Sequence, residues 1–357
     1  MTNKPIIFKE SKYSDKDLRL IKSKFKIWKT VDVYRKQLEE LFEITFPQYL
    51  HKDDFKIRRN EFIKSRLNRN PHLKGNWVYY PWSGLLLHIL PKAELELLLT
   101  SRNKNLINSE EQKKLSSSII GIVGLSIGSN TATSMIHTGI GGILKLADSD
   151  DLQTSNLNRV KTGIRQVGQA KVKVTCQEIY EVNPYVDLII YEQGLTENNI
   201  DEFVTKPKPR IVIELIDDFK MKILLRQICK KYHIPVLMFS NLGDSVLVDI
   251  ERYDQDEHLP IFNGIVGKEI EEISNRNISP EDIKKYAVLL VGKENVPRKA
   301  LESVNEIGRS LAGRPQLMST VMVASGIACF LVRKIILGEP VKSGRQLIKF
   351  DEVFTNK

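Results

Sequence analysis

The feature that most constrains the fold is the run beginning at Ser118. An apolar segment, IIGIVG, passes through Gly124, Ser126 and Gly128 into a helical pattern, SNTATSMIHTG, that closes at Gly139, and a second apolar segment, ILKLAD, follows. A strand, a helix and a strand in that order join one sheet as a parallel, right-handed crossover, and strands apolar along their whole length are covered on both faces. Further strands are expected at DLIIY (187–191), RIVIEL (210–215) and PVLMFS (235–240), with mixed-charge helices between them, and SVLVDIERYD (245–254) alternates like a late antiparallel strand. The expected architecture is α/β, a doubly wound and mainly parallel sheet. Ser279-Pro280-Glu281-Asp282 supplies an N-cap, a Pro at the first helical position and a capping-box acid, and Gly292 supplies the stop of that helix.

Before about residue 115 the pattern is different. Tyr34, Leu38, Leu41, Phe42 and Thr45 fall on one face of a helix, and GNWVYYPWSGLLLHILP, from Gly75 to Pro91, reads as a short hairpin between Gly and Pro. Residues 1–100 are therefore expected to form a mainly helical accessory domain and residues 101–357 the α/β domain. The first 70 residues hold 18 Lys and Arg against 10 Asp and Glu, so most of the chain's net charge of +10 sits there. Those cations are interleaved with Glu39, Glu40, Glu43, Asp53 and Asp54 and lack regularly stacked aromatics, which favours a solvated helical surface over a nucleic-acid site. The run LMSTVMVASGIACFLV (317–332) is short for a bilayer span and reads as a buried helix. Met318, Val321, Ala324, Ser325 and Ala328 line one face of it, suited to close packing within or between subunits. Cys176, Cys229 and Cys329 stand far apart without a CxxC pair, and the amino terminus has no apolar signal core, so a reducing, cytoplasmic setting is expected.

The turn at Gly124 opens a helix, where backbone N–H groups suit phosphate. Its G-x-S-x-G spacing puts Ser126 and Ser129 where a dinucleotide fingerprint has glycine, so an ordinary structural turn stays open as the other reading. Asp148 closes the second strand 24 residues after Gly124, the place of an acid that meets a ribose.

The segment from Ala147 to Val160, ADSDDLQTSNLNRV, continues into GIRQVGQAKVKV and resembles the ThiF/MoeB and ubiquitin-activating-enzyme superfamily of adenylating enzymes. The matching motifs are Asp148 and Asp150, Ser155-Asn156-Leu157-Asn158-Arg159, Gly168-Gln169-Ala170-Lys171, and Asp217 in IELIDDF, over roughly residues 100–352. A closer likeness, through the P-W-S-G segment (Pro81 to Gly84), is to a bacterial ThiF-like group whose members often carry a nitroreductase-like domain. The chain stops at Lys357, so such a partner is expected to be absent or separate. The resemblance implies a Rossmann-like fold, ATP and Mg²⁺ as cofactors, and a homodimer. It also implies adenylation of a carboxylate on a peptide, a protein or a small acid. Lys171 and Arg159 would meet the phosphates, with Asn156 and Asn158 in hydrogen bonds nearby, Asp148 on the ribose, and Asp217 on Mg²⁺ with Asp150 close by. Alternatively, Asp217 or Asp218 simply caps the helix after its strand.

Two departures narrow the expectation. The family's R-Y-x-R segment, which sends a cation into the neighbouring subunit, reads here as Arg102-Asn103-Lys104-Asn105. Either Arg102 or Lys104 takes the role in trans, or it is lost. The three cysteines fall on helical patterns rather than in an exposed loop, which speaks against a thioester. Besides the adenylyltransferase, a non-catalytic module that presents a peptide stays open. A nicotinamide oxidoreductase has no use for the SNLNR and GxxK blocks.

Overall fold

A hairpin lies where the Gly75–Pro91 segment is expected to turn, but it is the middle of a sheet. In chain order this part contains β1 (Ile6–Phe8), α1 (Asp15–Lys24), β2 (Lys29–Asp32), α2 (Tyr34–Thr45), α3 (Phe55–Leu67), β3 (Asn76–Tyr80), β4 (Leu85–Ile89) and α4 (Lys92–Leu99). The strand order is β1-β3-β4-β2, with β2 parallel to β4 and the other pairs antiparallel. The helices and the hairpin expected here are both present, and two short strands extend the hairpin into a four-stranded sheet. An isolated two-stranded ribbon is marginal in water, and the two short outer strands complete a sheet whose Trp77, Tyr79 and Leu86 pack on Leu18 and Ile21 of α1. Helix α2 buries Tyr34, Leu38, Leu41 and Phe42, four of the five positions its periodicity singles out.

The computed structural model describes residues 4–67, 70–267, 270, 286 and 288–354. Two compact units divide the chain. The first comprises Met1–Ser109 with His137–Gly139 and Ile179–Tyr185, and the second Glu110–Ile136, Ile140–Glu178 and Val186–Lys357. The later pieces of the first unit are tied to its sheet: the Asn76 carboxamide donates to the Tyr185 hydroxyl at 2.8 Å, and that hydroxyl donates to the Leu90 carbonyl at 2.7 Å.

The second part contains α5 (Ser109–Ser116), β5 (Ile119–Val123), α6 (Gly128–His137), β6 (Ile143–Ala147), α7 (Lys171–Val182), β7 (Asp187–Tyr191), α8 (Ile200–Thr205), β8 (Ile211–Glu214), α9 (Phe219–Lys231), β9 (Val236–Asn241) and β10 (Ser245–Glu251). After these come α10 (Arg298–Glu306), α11 (Met318–Leu337), β11 (Gly344–Lys349) and α12 (Phe350–Phe354). The strands form one sheet in the order β11-β10-β9-β8-β5-β6-β7, parallel from β9 to β7, with β10 and β11 antiparallel. The chain winds from β5 out to β7 and then returns to lay β8 on the other side of β5. The loops leaving β5 and β8 therefore diverge, and a crevice at such a reversal is where open α/β sheets take their ligands. Every expected strand is present, β10 ending three residues short of the expected 254, and β11 is an addition that GRQLIK did not announce.

Helix α11 runs beyond the expected run, through Arg333 and Lys334 to Leu337, and it is long and apolar enough by composition to cross a membrane. Its Val321, Ala324, Ser325 and Ala328 are buried within the chain, and it packs on β9 and β10. The expected cap at Ser279–Asp282 lies outside the described residues.

Candidate functional site

The β5 turn is held against β8. Gly124 has φ +87°, and a Cβ there would come within 2.5 Å of the Leu215 carbonyl oxygen, so the backbone conformation and the close approach both require glycine. Its N–H donates to the Ala147 carbonyl at 2.9 Å. The next N–H, that of Leu125, donates to Asp148 Oδ2 at 2.6 Å, and the Asp150 N–H donates to Asp148 Oδ1 at 2.8 Å. Asp148 thus ties the ends of β5 and β6 together. Burial pushes its carboxyl above the ordinary range, against the pull of those two donors and of Lys171.

Lys171, the first residue of α7, is buried, and its Nζ lies 2.7 Å from Oδ2 of the exposed Asp150. Arg159 Nε donates to Ser126 Oγ at 3.1 Å, which brings the SNLNR loop onto the first turn. Its Nη1 donates to the Ser155 carbonyl and to Asn158 Oδ1. Gly128 starts α6 directly beneath, with space for a Cβ limited by Ile122 at 2.9 Å. Two asparagines of the loop are engaged in shaping it. Asn156 is buried and its Oδ1 accepts the Gln153 N–H at 3.1 Å, whereas Asn158 Nδ2 donates to the Gln316 carbonyl at 2.8 Å.

After β8, Asp218 caps α9 by accepting the Met221 N–H at 3.1 Å. Asp217 is 87% exposed and pairs with Arg314 Nη2 at 2.6 Å. The alternative left open by the sequence is thereby divided, with Asp218 as the cap and Asp217 free of that duty. Burial lowers the Arg159 guanidinium from its ordinary value; Asp217 opposes that and the like charge of Arg314 adds to it. Arg159, Asp217 and Arg314 are therefore electrostatic neighbours. The crevice collects Gly124, Ser126, Gly128, Asp148, Asp150, Arg159, Lys171 and Asp217 in one unit. Arg102 stands on a short turn, Ser101–Asn103, of the other unit and is exposed. Asn105 has φ +77°, a left-handed backbone that asparagine tolerates far better than arginine.

Two participants escaped the sequence reading. Arg314 precedes the apolar run 317–332 and belongs to none of the motifs. The other is a buried ion cluster under the β8 loop: Arg226 donates from Nη1 to Glu214 Oε2 at 2.8 Å and from Nε to Glu251 Oε2 at 2.7 Å, and all three side chains are fully buried. Glu214 Oε1 accepts from Lys222 Nζ at 2.6 Å and from the Ile216 N–H at 2.9 Å. Burial raises the Glu214 carboxyl, and the cations Lys222 and Arg226 outweigh that and hold it below the ordinary range. The base of the loop that carries Asp217 is thus fixed.

Among the described residues no three His, Cys, Asp or Glu side chains cluster as a metal site. Mg²⁺ typically binds through one or two carboxylates plus substrate phosphates, and an exposed Asp217 beside the cations fits that mode.

The description "ThiF family" belongs to the family model that matches residues 100–356. An uncharacterized protein of Mycobacterium tuberculosis (strain CDC 1551 / Oshkosh) is 34% identical over 269 residues, 75% of this chain and 37% of that protein. The tRNA threonylcarbamoyladenosine dehydratase of Bacillus subtilis (strain 168) is 31% identical over 155 residues, 43% of this chain and 59% of that protein. The chain thus spans between about a third and three fifths of these relatives. A crystal structure of Escherichia coli MccB superposes with a TM-score of 0.51 at 16% identity, covering 88% of this chain and 84% of that one, a likeness of fold.

Proposed function

The chain belongs to the ThiF family, and on that premise we propose that it is an ATP-dependent adenylyltransferase that activates a carboxylate on a peptide, a protein or a small acid. The observation that carries the reading is the convergence of Lys171, Arg159 and the Gly124 turn on the crevice between β5 and β8. In the reaction a carboxylate oxygen of the substrate bonds to the α-phosphorus of ATP, the bond from that phosphorus to the bridging oxygen breaks, and pyrophosphate leaves. Lys171 and Arg159 bind the phosphates and offset the charge that develops there. Asp148 keeps a lone pair on each oxygen for a ribose hydroxyl while it fixes the turn. Asp217, with Asp150 close by, would hold Mg²⁺, which when bound neutralises phosphate charge.

Release proceeds without a covalent thioester. Cys176, Cys229 and Cys329 are all buried, and burial pushes the Cys176 thiol up to about 12 and raises that of Cys229 as well. A thiolate nucleophile needs the opposite, a lowered pKa and access. We propose further that residues 1–100 serve as an accessory domain, and that the protein acts as a homodimer.

ATP–pyrophosphate exchange, screened against small carboxylic acids and peptide C-termini, tests the activity. Exchange that depends on one class of acid identifies the substrate. A chain that shows no Mg·ATP-dependent thermal shift is instead the non-catalytic, peptide-presenting module.

A further inference from the structure

We propose that Arg314 is a phosphate-binding residue of the same site, held by Asp217 until Mg·ATP arrives and then turned to the β- and γ-phosphates. The inference rests on the nucleotide reading above and adds to it a cation, supplied from the segment before α11.

Charge bookkeeping at the crevice motivates it. Lys171 is matched by Asp150 at 2.7 Å, a closed pair. Arg159 and Arg314 share the field of one carboxylate, Asp217, which leaves a surplus positive charge between them. Like charges set side by side cost energy unless an anion joins them. A guanidinium fork matches phosphate oxygens two at a time.

The placement of Arg314 is built. Two residues on, the Gln316 carbonyl accepts Asn158 Nδ2 at 2.8 Å, which pins the segment to the SNLNR loop. Thr320 Oγ1 donates to the Gly243 carbonyl at 2.6 Å, and Ser325 Oγ lies 3.1 Å from Thr131 Oγ1 on α6, the helix that the phosphate turn opens. The guanidinium itself is 56% exposed and its carboxylate partner 87% exposed. Such a pair contributes little to stability and opens readily. Its partner is the carboxylate proposed to meet Mg²⁺, so the ion and the arginine compete for Asp217. With Asp217 engaged by a bound ion, Arg314 would be free to turn to phosphates. The position where the family's second arginine stands is Asn105 in this chain, and Arg314 supplies a cation from within the unit that holds the site.

Calorimetric titration of the full chain with Mg·ATP, Mg·pyrophosphate and AMP tests the assignment without any need for turnover. Arg314→Gln should weaken Mg·pyrophosphate and Mg·ATP about tenfold or more and leave AMP within twofold, with Arg314→Lys recovering part of the loss. The unfolding midpoint without nucleotide should be unchanged, because the pair is exposed. Pyrophosphate affinity within twofold of the parent overturns the proposal, as does an equal loss for AMP, which would mark a merely structural role. If the unsubstituted chain binds none of the three ligands, the nucleotide reading itself is overturned, and Arg314 with it.

Discussion

Lys171 is buried while its partner Asp150, 2.7 Å away, is 70% exposed. Only one member of the pair therefore depends on the other for solvation. Lys171→Ala leaves a carboxylate that water can serve, so the fold should survive the substitution. ATP–pyrophosphate exchange should fall by roughly 100-fold or more, the scale of removing one preorganised group that meets transition-state charge. An exchange rate within twofold of the parent would remove Lys171 from the site.

Asp217 and Asp218 are neighbours with separable duties. Asp217→Asn should raise the Mg²⁺ concentration needed for half-maximal exchange several-fold while the unfolding midpoint stays put. Asp218→Ala should cost about 1 kcal/mol through loss of the α9 cap and leave the Mg²⁺ dependence alone. The opposite pattern in a Mg²⁺ titration of both variants would exchange the roles.

Lys145 lies fully buried in β6, its ammonium donating to the Glu202 and Pro207 carbonyls at 3.1 and 3.0 Å. Burial pulls it down to about 8 from an ordinary 10.5. Between those values the unfolded chain binds the extra proton, so this group makes the protein more stable as pH rises from about 8 towards 10.5, by roughly 1 kcal/mol per pH unit. Urea unfolding at pH 8, 9 and 10 should show that rise in the parent relative to Lys145→Met. Parallel curves for the two proteins would mean that the ammonium is not perturbed.

If the protein pairs into a homodimer that shares sites, two damaged chains should repair one another. Arg102→Ala and Lys171→Ala proteins, each inactive alone, should regain up to about a quarter of parental exchange when subunits are mixed, because a heterodimer rebuilds one intact site. No recovery after subunit exchange has been demonstrated by mass would place Arg102 in cis or outside the reaction.

The parallel core was legible because its strands are uninterrupted apolar runs, with the Gly124 turn following the first of them. β1 and β2 were not, since three residues of IIF and four of KTVD carry no period and are fixed by the hairpin they flank. β11 is likewise made by pairing with β10, its own residues being only partly buried. Motif spacing singled out Asp148, Arg159, Lys171 and Asp217, which lie in one unit of the structure. It gave no hint that Asn156 and Asn158 spend hydrogen bonds on the loop itself, nor that Arg314 reaches Asp217 across 97 residues. Such contacts depend on how the chain returns, and local sequence does not encode that.

The Arg226 cluster makes the floor under Asp217 resistant to piecemeal change. Replace the arginine, and Glu251 loses its ion-pair partner while Glu214 is left with Lys222 alone. Replace either acid, and a guanidinium with no access to water loses half its anchorage. Each single step breaks a buried pair, at a cost of about 3–5 kcal/mol, a large fraction of the stability of a typical domain. Drift in this part of the chain must then proceed by paired exchanges or not at all. The exposed rim is different in kind: Asp150, Asp217 and Arg314 can each be replaced without unseating the sheet, whatever the replacement does to ligand binding.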